Sequence, residues 1–294
     1  MTTYMLDNFL SINSERKNLI NTKVINNYSK VKPSSLFLPA FSLLSITIFL
    51  YLKGALSATG YIRIQKECFY AVNSKLSQLP NLIYNLTQVG DTLFFLSFLT
   101  IFILYAPKIW GPLIIATILS PMLCIVPKNL FQIPRPAASF DNSSFVIIGG
   151  ALSGHNSLPS GHAITIFTIL TVLLFAFLPK NRHHKVLCIA FIFSTGLALA
   201  FTRVGVGAHY PLDVIIGCII GYICGLSGIL IDQKYKIWIW VDNTKYDPIF
   251  VVLLLASCVV LAIRAINENL TILYLPITIS IISISKIAYK YAKK

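Results

Sequence analysis

Acidic side chains are scarce in this chain. Its 294 residues hold 10 Asp and Glu against 24 Lys and Arg, and charged residues of both signs make up 12% of the total. Soluble domains carry about 25%, so the chain has too little polar surface to clothe a water-soluble fold of this size. The six cysteines (68, 124, 188, 218, 224 and 258) stand in no metal-like pairing. Five of them fall inside apolar stretches, where Cys behaves as a small hydrophobe. Neither a disulfide framework nor a zinc site is predicted. The glycine pattern of a phosphate-binding P-loop is missing, and no internal repeat or low-complexity tract stands out. The N-terminal residues place Asp7, Glu15 and several lysines before any apolar run, which is unlike a cleavable leader. The first apolar segment is therefore expected to remain as an anchor.

Long hydrophobic runs are what the chain does have. Apolar residues account for 56% of it. They concentrate at about 35–52, 92–106, 109–127, 162–179, 186–202, 212–231, 248–263 and 270–285. Most of these runs are long enough to cross a bilayer as a helix. The segment at 92–106 is short, and is expected to begin before Asp91 or to tilt. The fold class predicted is all-α, a polytopic transmembrane helical bundle with a six-helix core and two further C-terminal spans. The expected divisions are a polar, partly ordered cytoplasmic tail (1–34), a membrane domain (35–235) and a C-terminal transmembrane extension (236–294). Residues 54–90 mix Tyr61, Phe69 and Tyr70 with Arg63, Lys66 and Lys75, as an amphipathic helix lying in the interface does.

The net charge of +14 follows from topology rather than from a nucleic-acid partner. If the N-terminus is inside and eight segments alternate, most of the 24 basic residues fall in the tail, the loop around Lys180, Arg182 and Lys185, the stretch around Lys234, Lys236 and Lys245, and the C-terminus. That bias is the one cytoplasmic segments show. Both termini are then cytoplasmic, in a multi-pass protein of the plasma (inner) membrane. Residues 128–161 and 203–211 share the opposite, periplasmic or extracytoplasmic face.

On that face the sparse polar residues form one ordered pattern: Lys128-x6-Arg135-Pro136, then Pro159-Ser160-Gly161-His162, then Arg203-x5-His209-x3-Asp213. Two histidines, one carboxylate and three fixed cations suit the binding and cleavage of a phosphate ester. A phosphoryl group in transfer spreads negative charge over three equatorial oxygens, and stabilising it is most of the catalytic task. Arg135 and Arg203 can each offer a planar fork to two oxygens, and Lys128 adds a point charge. Ser160 and Gly161 precede an apolar run. A helix starting there would aim free N–H groups and its positive end at an anion, with Ser160 as cap and Gly161 allowing close approach. Pro211 suits the first turn of the next helix and sets Asp213 close to His209. Ser153-Gly154-His155 repeats the Ser-Gly-His triplet without the proline, in a polar stretch.

The three pieces and the gaps between them resemble the signature motifs of the type 2 phosphatidic acid phosphatase superfamily, which also includes the vanadium haloperoxidases. The resemblance covers about residues 92–231 and leaves the tail and the last 60 residues unexplained. It departs at one point: the third motif usually opens Ser-Arg, and here it opens Thr202-Arg203. It implies an integral-membrane lipid phosphatase in which His209 attacks phosphorus and forms a phosphohistidine. Asp213 holds the other ring nitrogen of His209, and His162 protonates the leaving oxygen. Lys128, Arg135, Ser160, Gly161 and Arg203 hold the phosphate. No cofactor and no metal is expected, so activity should survive a chelator. The candidate substrates are polyprenyl (including undecaprenyl) pyrophosphate, phosphatidylglycerol phosphate, phosphatidate and lipid A. Lipid phosphotransfer, or a vestigial site in a non-catalytic membrane protein, is the alternative.

Overall fold

The structure, a computed structural model, describes residues 2–237 and 243–292. Among the described residues thirteen α-helices run in chain order: α1 Thr2–Tyr28, α2 Phe37–Leu52, α3 Ala58–Leu76, α4 Pro80–Thr87, α5 Thr92–Phe98, α6 Ile101–Tyr105, α7 Trp110–Phe131, α8 Pro136–Ser139, α9 Gly161–Phe177, α10 Arg182–Gly205, α11 Pro211–Tyr235, α12 Asp247–Asn267 and α13 Tyr274–Ala292. The described residues contain no strand. The chain is an all-α polytopic bundle. Six helical segments are long and apolar enough to cross a membrane, and α9 is a shorter apolar helix. Their outward faces are apolar: Phe37, Phe41 and Ile48 on α2, Met122 and Val126 on α7, Phe191 on α10 and Val252 and Val259 on α12 are all exposed. In water such a belt would be an aggregation surface, whereas against lipid it costs nothing.

The segment at 92–106 is a broken span. Residues 80–90 and 92–105 meet at a 76° bend. Asp91 makes the break, since its backbone is extended and its carboxylate caps α5 by accepting from the Leu93 N–H at 2.7 Å. Residues 54–90 form the amphipathic α3, with Tyr61, Gln65, Phe69 and Asn73 on its buried face, followed by α4.

α9 is the axis of the bundle. Glycines of α11 let the two helices touch along their length: a β-carbon on Gly217 would lie 2.7 Å from the Ser160 carbonyl, and one on Gly225 2.6 Å from Thr171. With no hydrophobic drive between helices in lipid, close backbone contact is what holds such a pair. Residues 2–28, a partly ordered tail by composition, form helix α1. Asn27 Nδ2 donates to the carbonyls of Ala176 and Leu178 at 3.1 Å, and the Tyr28 hydroxyl donates to Val172 O at 3.2 Å. Through Asn27, α1 thus satisfies carbonyls at the C-terminal end of α9 that have no partner within their own helix.

Following the chain, α7 delivers Lys128 to one end of the bundle, α9 starts there, α10 ends there with Arg203, and α11 starts there. The docked α1 lies at the other end. The three motif pieces therefore share one end of the molecule.

Candidate active site

Asp213 organises the site. Its carboxylate is fully buried and accepts from three donors: the Tyr61 hydroxyl at 2.8 Å on Oδ1, and the Ser157 hydroxyl at 2.6 Å and Tyr210 N–H at 2.9 Å on Oδ2. His209 Nδ1 lies 3.4 Å from Oδ2. A carboxylate can only accept, so His209 carries its proton on Nδ1 and presents the lone pair on Nε2. That nitrogen faces Arg135, whose Nη1 is 3.5 Å away. The α11 start creates this arrangement: Pro211 occupies the first turn, and Asp213 reaches back to the N–H before it.

The second motif is tied directly to the third. Ser160 N–H donates to the Asp213 carbonyl at 3.0 Å, and the Ser160 hydroxyl caps α9 by accepting from Ala163 N–H at 3.4 Å. The first bond of the α9 ladder is Ile164 N–H to Ser160 O. The N–H groups of Gly161 and His162 precede it and lie outside the ladder. His162 is half-buried, and Arg203, Arg135 and Lys128 lie within electrostatic range of it.

The cations are held from several directions. Arg135 Nε donates to Asn156 Oδ1 at 2.7 Å and Nη1 to the Ala208 carbonyl at 3.3 Å, while its backbone N–H donates to Gly154 O at 2.9 Å. Arg203 Nη1 donates to Thr87 Oγ1 at 3.0 Å. Its Nε is buried and has no acceptor among the described residues. Both guanidiniums are almost enclosed, at 9% and 8% exposure. Lys128, half-buried beside Cys124, lies within electrostatic range of Arg135 and Asp213. Three cations and one carboxylate leave an enclosed space with net positive charge, which suits an oxyanion.

His209 stays neutral in this setting. Burial first, then the charges of Arg135, Arg203 and Lys128, push its proton affinity well below the ordinary histidine value of 6.5, against the opposing pull of the Ser157 carbonyl. The sign follows from linkage. With the folded pKa below the unfolded one, the native state binds fewer protons, so this histidine destabilises the fold as pH drops below 6.5 and has no such effect above it. For a neutral nucleophile the acid limb of kcat/KM is expected below pH 6.5. A limb at 7 or higher, in phosphate release measured from pH 4.5 to 9, would count against the assignment.

The structure brings all eight sequence-selected residues, Lys128, Arg135, Ser160, Gly161, His162, Arg203, His209 and Asp213, to one end. His155 stays exposed, and Gly154 and Asn156 of the same triplet region support Arg135 instead. Residues outside the motifs complete the site: Tyr61, Ser157, Asn156, Thr87, and Gly90, where an added β-carbon would lie 2.7 Å from His162 Cβ. Ser157 and Asn156 adjoin the second motif, and that adjacency is a usable signal. Tyr61 and Thr87 have none, being ordinary polar positions of an interfacial helix and a turn.

Tyr61 is the most informative of these additions. Burial and the adjacent Asp213 carboxylate hold its phenol protonated far above the usual range, so it is a permanent donor. Tyr61→Phe removes one of the bonds that orient the Asp213–His209 pair and should lower kcat about tenfold with little change in KM, as expected for a bond to a buried charge worth roughly 1.5–3 kcal/mol. Steady-state kinetics of the purified variant would test this.

In this polytopic helical bundle a buried His–Asp pair faces a cage of cations, an arrangement chemically suited to holding a phosphate. The PAP2 superfamily model matches residues 109–238, a segment that holds all three motif pieces. It is similar to lipid A 1-phosphatases of Rhizobium johnstonii and Rhizobium etli, each 34% identical over 121 residues. That alignment covers 40% of this chain and 46% and 48% of theirs, so the chain spans about half the length of these curated relatives. A crystal structure of Aquifex aeolicus LpxE matches at 27% identity over 57% of this chain and 95% of that one, with a TM-score of 0.47.

Proposed function

We propose that this protein is an integral-membrane lipid phosphatase that hydrolyses a phosphomonoester or pyrophosphate at the extracytoplasmic face through a phosphohistidine, without a metal ion. The observation that carries the reading is the buried Arg203 Nε–H without an acceptor among the described residues, in an enclosure where Arg135 and the His209 lone pair converge. A buried donor is ordinarily paired, and a phosphate oxygen is the partner this cage suits.

The chemistry balances on residues present. His209 Nε2 attacks phosphorus while the bond to the leaving oxygen breaks, and His162 gives that oxygen its proton. Asp213 steadies the positive charge that grows on the His209 ring. His162, now neutral, takes a proton from water, the hydroxide attacks the phosphohistidine, and inorganic phosphate leaves. The mechanism needs His162 protonated and His209 neutral at the start, so activity should be bell-shaped in pH.

Among the candidate substrates, lipid A is favoured by the names of the curated relatives. The location of the site favours lipids in general. The reading is supported by the length of α9: its 17 residues make about 25 Å, close to a hydrocarbon core of about 30 Å, so in a spanning orientation a site at its N-terminal end would lie near the headgroups. The extracytoplasmic orientation rests on the basic inner segments. The test is phosphate release by the purified full chain from lipid A, polyprenyl pyrophosphate, phosphatidylglycerol phosphate and phosphatidate, with and without chelator. Release from at least one lipid, undiminished by chelator, is expected. Loss in chelator restored by Mg²⁺ would refute the metal-free mechanism, and no release from any lipid would refute the activity.

A further inference from the structure

The C-terminal pair α12–α13 is outside the matched family segment (109–238), yet it reaches the turn that supports the phosphate cage. Arg264, in the last turn of α12, donates from Nη1 to Asp91 Oδ2 and from Nη2 to Gln88 Oε1, both at 2.9 Å. Its Nε lies 3.6 Å from Glu268, which in turn accepts from the Tyr84 hydroxyl at 3.1 Å. The start of the next segment adds two bonds: Ile272 N–H and Thr271 Oγ1 donate to Asn85 Oδ1 at 3.0 and 3.2 Å. Residues 84–91 are thus gripped at Tyr84, Asn85, Gln88 and Asp91 by one short region of the extension.

Between those anchors lie the two residues of the turn that meet the site. Thr87 Oγ1 accepts from Arg203 Nη1, and Gly90 lies so close to His162 that a β-carbon there would overlap the histidine. The same turn is where the span breaks by 76°. A break frees backbone from the helical ladder, so something else must set its shape. Arg264 does so with a rigid fork engaging two side chains three residues apart, a task the single point charge of lysine cannot reproduce.

We infer that Arg264 is a positioning residue for phosphate binding: through Gln88 and Asp91 it fixes the 84–91 turn, and the turn sets Arg203 and His162. The extension is then part of the active-site apparatus and more than an added anchor. The inference rests on the reading of Arg203 and His162 as phosphate-handling groups.

The test uses the full chain in detergent, with inorganic phosphate as the probe by calorimetry and lipid-phosphate turnover beside it. Arg264→Met is expected to weaken phosphate binding and lower kcat, each about tenfold, with KM for the lipid within about twofold. Arg264→Lys should recover only part of either. Combined with Thr87→Val, Arg264→Met should be non-additive, because both act through one contact to Arg203. Ser257→Ala removes a hydroxyl contact between α12 and Ser97 of α5 and serves as the control. It should lower thermal stability and leave phosphate affinity unchanged. Should Arg264→Met not fold, Glu268→Gln loosens the same grip and should weaken phosphate binding two- to threefold. Unchanged phosphate affinity in the variant that folds, additivity with Thr87→Val, or an equal loss of affinity in Ser257→Ala would overturn the inference. A wild-type chain that binds phosphate but turns over no lipid would sink the proposed activity and leave the binding arm of this test intact.

Discussion

His209→Ala is expected to lower lipid phosphate release by about 10⁴-fold or more, to the background of the assay. On the proposed mechanism the substitution removes the covalent route, and the cations alone can supply only what binding and charge stabilisation provide. The structure adds a sharper readout. Arg135, Arg203 and Lys128 are held mainly by Asn156, the Ala208 carbonyl, Thr87 and their own helices, so the cage should survive the substitution. Inorganic phosphate should still bind within a few-fold of wild type while labelled phosphate no longer appears on the protein after acid-free quenching. A His209→Ala protein that retains a tenth of wild-type turnover would remove His209 from the chemistry. Loss of phosphate binding together with turnover would instead make it a packing residue.

Asp213→Asn should lower kcat about 10³-fold for a different reason. Oδ2 receives Ser157, Tyr210 N–H and His209, while Oδ1 receives only Tyr61. An asparagine would turn its oxygen to the side with three donors and its NH₂ toward the Tyr61 hydroxyl, which can rotate and accept. The His209 tautomer is then kept, and what is lost is the negative charge opposite the imidazole ring as it becomes cationic, in a site screened from water. The sign of a second measurement separates this from collapse. Removing an anion near the cage should leave phosphate binding unchanged or tighter, whereas a disordered site would bind phosphate more weakly. The effect should also be non-additive with Tyr61→Phe, because both act on the same carboxylate.

Much of this is legible in the sequence alone. The apolar runs carry the bundle because a segment in lipid must satisfy its backbone internally, so length and hydropathy alone predict helices. The motif residues were legible because acidic and basic groups are so few, and because three separated pieces keep fixed internal spacing. The helix starts at Ser160 and Pro211 are local and were readable as such. Less legible were Tyr61 and Thr87, whose roles depend on which elements lie across from them. The break at Asp91 was visible only as a span of awkward length. Helix α1 was hidden because its last turn is ordered by the carbonyls at the end of α9, about 150 residues away.

The sequence by itself determined the class of fold, the candidate reacting groups and the pairing of His209 with Asp213, since each depends on composition or on neighbours within a helical turn. Tertiary structure alone decided what surrounds them. It set Tyr61 on the carboxylate, left Arg203 Nε–H without a partner among the described residues, and brought Arg264 to the turn beneath His162. Those contacts join residues as much as 176 positions apart. Buried polar groups must be paired wherever the packed helices put them, and which partner is within reach is a property of the packing, not of spacing along the chain.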